Sequence, residues 1–167
     1  MLLFPNPAWR GFFFDKHSFK QREFCYNVLY CRMPNDTYRP KVKVKRASAG
    51  LGLFAEEDIP RDQVIIEYTG ERISSDEADK RGGLYLFDVT ETIVIDGKGR
   101  ENTARYINHG CKPNAEAEHD EDDDRIYIRA RRRIKAGEEI TYDYGKSYVD
   151  DLIRSKGCKC KACTESS

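Results

Sequence analysis

Four short runs of β-branched and aromatic residues constrain this chain most: Lys41-Val42-Lys43-Val44-Lys45, Val64-Ile65-Ile66-Glu67-Tyr68, Thr92-Ile93-Val94-Ile95 and Arg125-Ile126-Tyr127-Ile128-Arg129. Period-two alternation or continuous β-branching over so few residues is the pattern of strands. Asp96-Gly97 and Ala136-Gly137 follow such runs and read as turns, the second joining the 125–134 strand to Glu139-Ile140-Thr141-Tyr142. One helix is expected. Ser74-Ser75-Asp76-Glu77 has the form of a capping box ahead of Ala78-Asp79-Lys80-Arg81, and Gly82-Gly83 stops it. The fold class is therefore mostly β, with short strands in several small sheets and little helix.

The length, 167 residues, suits one domain that buries roughly 70% of its unfolded surface. Charged residues make up 35% of the chain and hydrophobic ones 39%, which predicts a small core under a heavily solvated exterior and excludes disorder throughout. No apolar run approaches the ~20 residues of a membrane span, and Met1-Leu2-Leu3-Phe4 meets Pro5, Asn6 and Pro7 before a signal core forms. A soluble protein of the nucleus or cytoplasm is expected. With 29 basic and 29 acidic residues, the chain lacks the field of a nucleic-acid binder, so direct nucleic-acid and membrane contacts are not expected.

Residues 1–40 are an aromatic-rich flanking segment, expected to pack on the main domain. Lys41 to Arg46 reads as an edge strand with one solvated face, although its charge also suits a nuclear-import patch. Glu116 to Asp124 reads as a solvated hairpin loop; its functional alternative is the attraction of a basic partner.

Three clusters carry chemistry. Gly50-Leu51-Gly52 follows a strand and permits either an ordinary turn or close backbone approach to a ligand; no third glycine completes a dinucleotide fingerprint. Arg105-Tyr106-Ile107-Asn108-His109-Gly110-Cys111-Lys112-Pro113-Asn114 places an amide beside an imidazole on a bent backbone, which suits a site, whereas His109 alone also reads as structural and Asn114 as a turn cap. The third joins Tyr142-Asp143-Tyr144-Gly145 to Cys158-x-Cys160-x-x-Cys163. Three thiolates are one short of a structural zinc set, and Cys111 is the natural fourth, while Cys25 and Cys31 read as buried thiols.

Taken in order, Gly50-x-Gly52, Glu67-Tyr68-Thr69-Gly70-Glu71, the Arg105–Asn114 decapeptide, Tyr142-Asp143-Tyr144-Gly145 and the cysteine tail are similar to SET-domain protein lysine methyltransferases with a post-SET zinc motif. The match covers about residues 41 to 163. Gly110 stands where many members carry Ser, and two residues rather than four separate the last cysteines.

The resemblance implies a SET fold over 41–147, with a pseudoknot carrying the Asn108 segment past the C-terminal strand, and a zinc-binding tail over 148–167. It implies S-adenosylmethionine bound by Gly50, Leu51, Gly52, Tyr85, Arg105, Tyr106, Asn108 and His109, and structural zinc on Cys111, Cys158, Cys160 and Cys163. Tyr144 matches the catalytic tyrosine, Tyr106 is counted among the catalytic residues with it, and Tyr142 matches the position that limits methylation, here to one or two methyl groups. The implied partner is a protein substrate with a reactive lysine, a histone tail or another basic protein. The rival reading is a catalytically silent, zinc-stabilised interaction module.

Overall fold

The four alternating runs become four of ten short strands in the computed structural model, which describes residues 38–145, 149 and 157–164. These residues belong to the unit Arg32–Ser167. The expectations for the aromatic segment up to residue 37, and for Cys25 and Cys31, lie outside the described residues.

The strands are β1 (Val42–Ala47), β2 (Gly50–Ala55), β3 (Val64–Tyr68), β4 (Glu71–Ser74), β5 (Leu86–Asp88), β6 (Ile93–Asp96), β7 (Asn108–His109), β8 (Ala115–Asp120), β9 (Arg125–Ala130) and β10 (Thr141–Tyr142). They form two pairs, β1-β2 and β10-β7, and two three-stranded sheets ordered β3-β9-β8 and β4-β6-β5. All pairings are antiparallel except β10 with β7, which is parallel. Helix α1 (Ser75–Arg81) starts where Ser74 Oγ accepts the Glu77 N–H at 3.2 Å, and ends where the Gly82 N–H donates to Ala78 O. No helix among the described residues is long and apolar enough to cross a membrane.

The core follows from the alternation. In β9, Ile126, Ile128 and Ala130 point inward and are buried, while Arg125 is exposed and Tyr127 and Arg129 are half-buried. Around them pack Leu53, Ala55, Ile59, Ile65, Tyr68, Ile107, Ile134 and Ile140. Two of these position the site. Ile107 and Ile140 are almost completely buried and immediately precede Asn108 and Thr141. At roughly 1.5–3 kcal/mol for each buried aliphatic side chain, they anchor the two short strands that follow them. Residues 137–140 are zipped to β2 through Gly137 N–H to Ala55 O, Ala55 N–H to Glu138 O and Ile140 N–H to Leu53 O. The next residues, β10, then lie alongside β7, pairing Thr141 with Asn108 and Tyr142 with His109.

Two regions differ from the sequence expectation. Gly50-Leu51-Gly52 is not a turn but the start of β2, and the reversal falls on Ser48-Ala49. The acidic run is a loop only over residues 121–124, because its first half, up to Asp120, is strand β8. Arginines on the neighbouring strand and beyond it offset these acids: Arg129 pairs with Glu118, Arg131 with Glu116 at 3.5 Å and Arg125 with Asp123 at 2.8 Å. Cross-strand pairing of opposite charge is favourable where like charges in isolation would repel.

Candidate active site

The parallel β7-β10 pair brings together residues that are more than 30 positions apart in the sequence. Gly110 N–H donates to Tyr142 O at 3.0 Å and extends the pairing. A Cβ at Gly110 would lie 2.7 Å from Thr141 Oγ1 and 2.9 Å from Thr141 Cβ, so glycine is what permits this approach. Asn114 staples the same junction from the other side. Its Oδ1 accepts the Thr141 N–H at 2.9 Å, and its Nδ2 donates to Glu139 O at 2.8 Å and Glu138 Oε1 at 3.1 Å. Asn114 is 2% exposed and caps a strand junction rather than a turn. Burial pushes the Glu138 carboxyl up, but Arg132, the Lys135 N–H and Asn114 outweigh it and hold the group below its ordinary range.

Tyr144 is fixed at both ends. Its backbone N–H donates to His109 Nδ1 at 3.3 Å, and its hydroxyl donates to Ile107 O at 2.6 Å. Tyr142 lies beside it, ring centroids 4.9 Å apart, and an aromatic wall continues through Phe87 at 6.4 Å to Tyr68, 5.2 Å further on. Sequence reasoning missed Phe87 and Tyr68 as parts of this wall, because each also reads as an ordinary core residue. The Tyr68 hydroxyl donates to Tyr85 O at 2.9 Å and so ties the wall to Tyr85.

His109 is buried, which holds its pKa below the ordinary 6.5 against the pull of Asp143. The ring is therefore neutral at pH 7. Because Nδ1 accepts from Tyr144, Nε2 carries the proton and donates it toward Cys111 Sγ, 3.4 Å away. One imidazole thus links the tyrosine to the cysteine cluster.

A second group faces the β1-β2 hairpin. Asn108 Nδ2 donates to Leu51 O at 3.0 Å and Glu139 Oε1 at 2.8 Å. Arg105 is held against the Tyr85 ring, 4.1 Å from its centroid, and nearer to it than to Tyr106 at 5.5 Å. Arg105 also donates to Lys98 O, while its Nε is buried without a hydrogen-bond partner among the described residues. A charged donor left unsatisfied between two rings suits an anionic ligand group such as a carboxylate. Gly50 and Leu51 are exposed at the start of β2, where Leu51 meets the site through its carbonyl.

The third group is the four thiols. The sulfurs of Cys111, Cys158, Cys160 and Cys163 all lie within 4.8 Å of one another, with Cys111 3.7 Å from Cys158 and 3.5 Å from Cys163. The four are free thiols, and these distances match a tetrahedron with zinc–sulfur bonds of about 2.3 Å, whose edges are about 3.8 Å. The donor set fits zinc. Burial works against a Cys160 thiolate, but the backbone N–H groups of Cys111 and Cys163 outweigh it and bring the thiol down to about 6. Ser48 Oγ donates to Lys159 O at 2.7 Å and ties the tail to the β1-β2 turn.

A family model described as the SET domain matches residues 50–145, more than half of the chain. Among curated proteins, the chain is 38% identical over 143 residues to "Histone-lysine N-methyltransferase trithorax" of Drosophila virilis, covering 79% of this chain and 4% of that protein. It is 33% identical over 159 residues to "Histone-lysine N-methyltransferase 2D" of Homo sapiens, covering 89% and 3%. It is 40% identical over 146 residues to "Histone-lysine N-methyltransferase, H3 lysine-4 specific" of Aspergillus oryzae, covering 75% and 12%. The chain thus spans only a small part of the length of each of these relatives.

Proposed function

The chain belongs to the SET-domain family, and on that premise we propose that it is an S-adenosylmethionine-dependent protein-lysine N-methyltransferase acting on a histone tail or another basic protein. The observation that carries this reading is the double fixation of Tyr144 on Ile107 and His109, the residues either side of Asn108, with Tyr142 alongside. The name of the fungal relative specifies lysine 4 of histone H3, which makes an H3 tail the first substrate to offer.

When bound, S-adenosylmethionine supplies an electrophilic methyl group on a sulfonium. The protein's task is to present an uncharged lysine nitrogen in line with it. A lysine has an ordinary pKa of about 10.4, so the ammonium must lose a proton to solvent before its lone pair attacks. The rings of Tyr142, Phe87 and Tyr68 exclude water and disfavour the charged form. Tyr144 gives its hydroxyl proton to Ile107 O, so the phenol oxygen meets the amine as an acceptor and orients it. Orientation of this kind contributes several kcal/mol of a barrier, up to about 7–11 in ideal cases. The Tyr142 hydroxyl occupies the room that a bulkier methylated amine needs, which favours mono- and dimethylation.

Arg105 suits the carboxylate of the cofactor, and Gly50, Leu51, Gly52, Tyr85, Tyr106, Asn108 and His109 complete its surroundings. Zinc on the four cysteines would fix the tail against Cys111 and, through His109, against Tyr144. Mass spectrometry of H3 and H4 peptides incubated with the chain and S-adenosylmethionine tests the reading. Mono- and dimethyllysine are expected. No methylation across broad substrates, together with no cofactor heat in calorimetry, would overturn it in favour of a silent interaction module.

A further inference from the structure

The Asn108 carboxamide has both of its N–H donors committed, one to Leu51 O and one to Glu139 Oε1, and among the described residues its Oδ1 has no hydrogen-bond partner. A planar amide held in this way has one polarity only. Reversing it would set Asn108 oxygen against a carbonyl and a carboxylate at once, replacing two attractions with two repulsions. The Leu51 carbonyl is part of strand β2, but the carboxylate comes from the far end of the chain, one residue before the buried anchor Ile140.

Space for this meeting is made by a missing side chain. A Cβ at Gly52 would lie 2.6 Å from Glu139 Oε1, 2.8 Å from Ala47 Cβ and 3.1 Å from Asn108 Nδ2. The backbone of Gly52 needs no left-handed conformation, so glycine is required here for room. The Gly-x-Gly pattern thus acquires a reason beyond ligand approach: its second glycine admits the carboxylate that aims the amide.

We propose that Glu139 is a positioning residue for cofactor binding, which locks the Asn108 carboxamide so that Oδ1 faces the cofactor as a fixed hydrogen-bond acceptor. This deepens the methyltransferase reading and rests on it for the identity of the ligand. Glu139 acts through Asn108 and does not touch the reacting atoms. A charge-assisted bond is stronger than a neutral one, so the carboxylate holds the amide better than a second carbonyl would.

Two measurements on the zinc-loaded full chain test the proposal. Calorimetry with S-adenosylhomocysteine is expected to show about tenfold weaker binding for Glu139→Ala and a change within about threefold for Glu139→Gln, which keeps an acceptor. Adding Glu139→Ala to Asn108→Ala should then cost nothing further, since the residue it acts through is gone. In the ligand-free protein, solvent exchange of the Asn108 side-chain N–H groups, followed by NMR, should be slow in the wild type and fast in Glu139→Ala. Should Glu139→Ala not fold, Glu139→Asp keeps the charge but withdraws the carboxylate from Asn108 Nδ2 and should give the same two results. Equal affinity in wild type and Glu139→Ala, or additive costs in the double variant, would overturn the proposal. A wild-type chain that binds no S-adenosylhomocysteine would overturn the methyltransferase reading instead, and the exchange rates would still decide whether Glu139 holds the amide.

Discussion

The β7-β10 junction and the cysteine cluster are only two residues apart at His109 and Cys111, yet they are held by opposite means. At the junction the chain satisfies itself: Asn114 makes three hydrogen bonds while buried, Tyr144 is tethered at both ends, and Ile107 and Ile140 anchor the strands in the core. In the cluster four sulfurs converge, Cys160 alone of the four cysteines is buried, and among the described residues the Ser48 hydroxyl links Lys159 to the β1-β2 turn. The first region is specified by packing. The second, on the reading proposed above, would be specified by the charge of a bound zinc ion.

The largest test of this contrast is Tyr144→Phe. It removes the Ile107 tether and the proposed acceptor for the amine, and methyl transfer to an H3 peptide should fall about 100-fold. Calorimetric affinity for S-adenosylhomocysteine should stay within about threefold. A rate loss below threefold would mean that packing at the junction, rather than the phenol, does the positioning.

Metal removal comes next. Dialysis against a chelator, or Cys160→Ser, should lower kcat/KM at least tenfold with loss of bound zinc measured by mass spectrometry, while the urea midpoint of the strand core moves little. If the core unfolds together with the tail, the two regions are one cooperative unit and the contrast fails.

Asn114→Ala sharpens the comparison from the other side. It leaves the Thr141 N–H and the Glu139 carbonyl without their partner in a buried place, and should cost about 3 kcal/mol in urea unfolding. A smaller change of the same kind is expected for Gly110→Ser, whose Cβ would press on Thr141 and loosen β10.

The smallest expected effect is acid-dependent and lies behind the aromatic wall, in the β4-β6-β5 sheet. The Lys98 ammonium, against the opposing effect of burial, holds the Asp96 carboxyl below its ordinary 3.8, with help from Arg81. A lowered carboxyl pKa in the folded state gives stability that is complete above pH 3.8 and is lost as pH falls through the lower folded value. Thermal midpoints between pH 6 and 3 should therefore fall less steeply for Asp96→Asn than for wild type. Parallel curves would remove Asp96 from the account.

Most of the sheet framework was legible in the sequence, because burial of one face leaves a period-two trace, as in Arg125–Ala130. Helix α1 was legible from its cap at Ser74. Strands β4 and β5 were not, since Glu71–Ser74 and Leu86–Asp88 are short and carry polar residues without clear alternation. The start of β2 was hidden by its glycines, which suggest a turn until Glu139 is seen to fill the space beside Gly52. The acidic strand β8 was hidden because its arginine partners are supplied by another part of the chain. Within the candidate site, the cysteines stood out by residue type and spacing, and Tyr142 and Tyr144 only through the resemblance of their motif to SET-domain proteins. Glu139 could not, as an acid in a charged segment carries no local sign of the amide it meets.

The two-residue pairing of Asn108-His109 with Thr141-Tyr142 bridges a separation of 33 positions, with strands β8 and β9 lying between. Contacts of such long range are slow to form, because the closure of the intervening loop is costly before the contact returns anything. The local β8-β9 hairpin is expected to form ahead of this junction. A chain cut anywhere between residues 110 and 140 loses the covalent tether that makes this closure intramolecular.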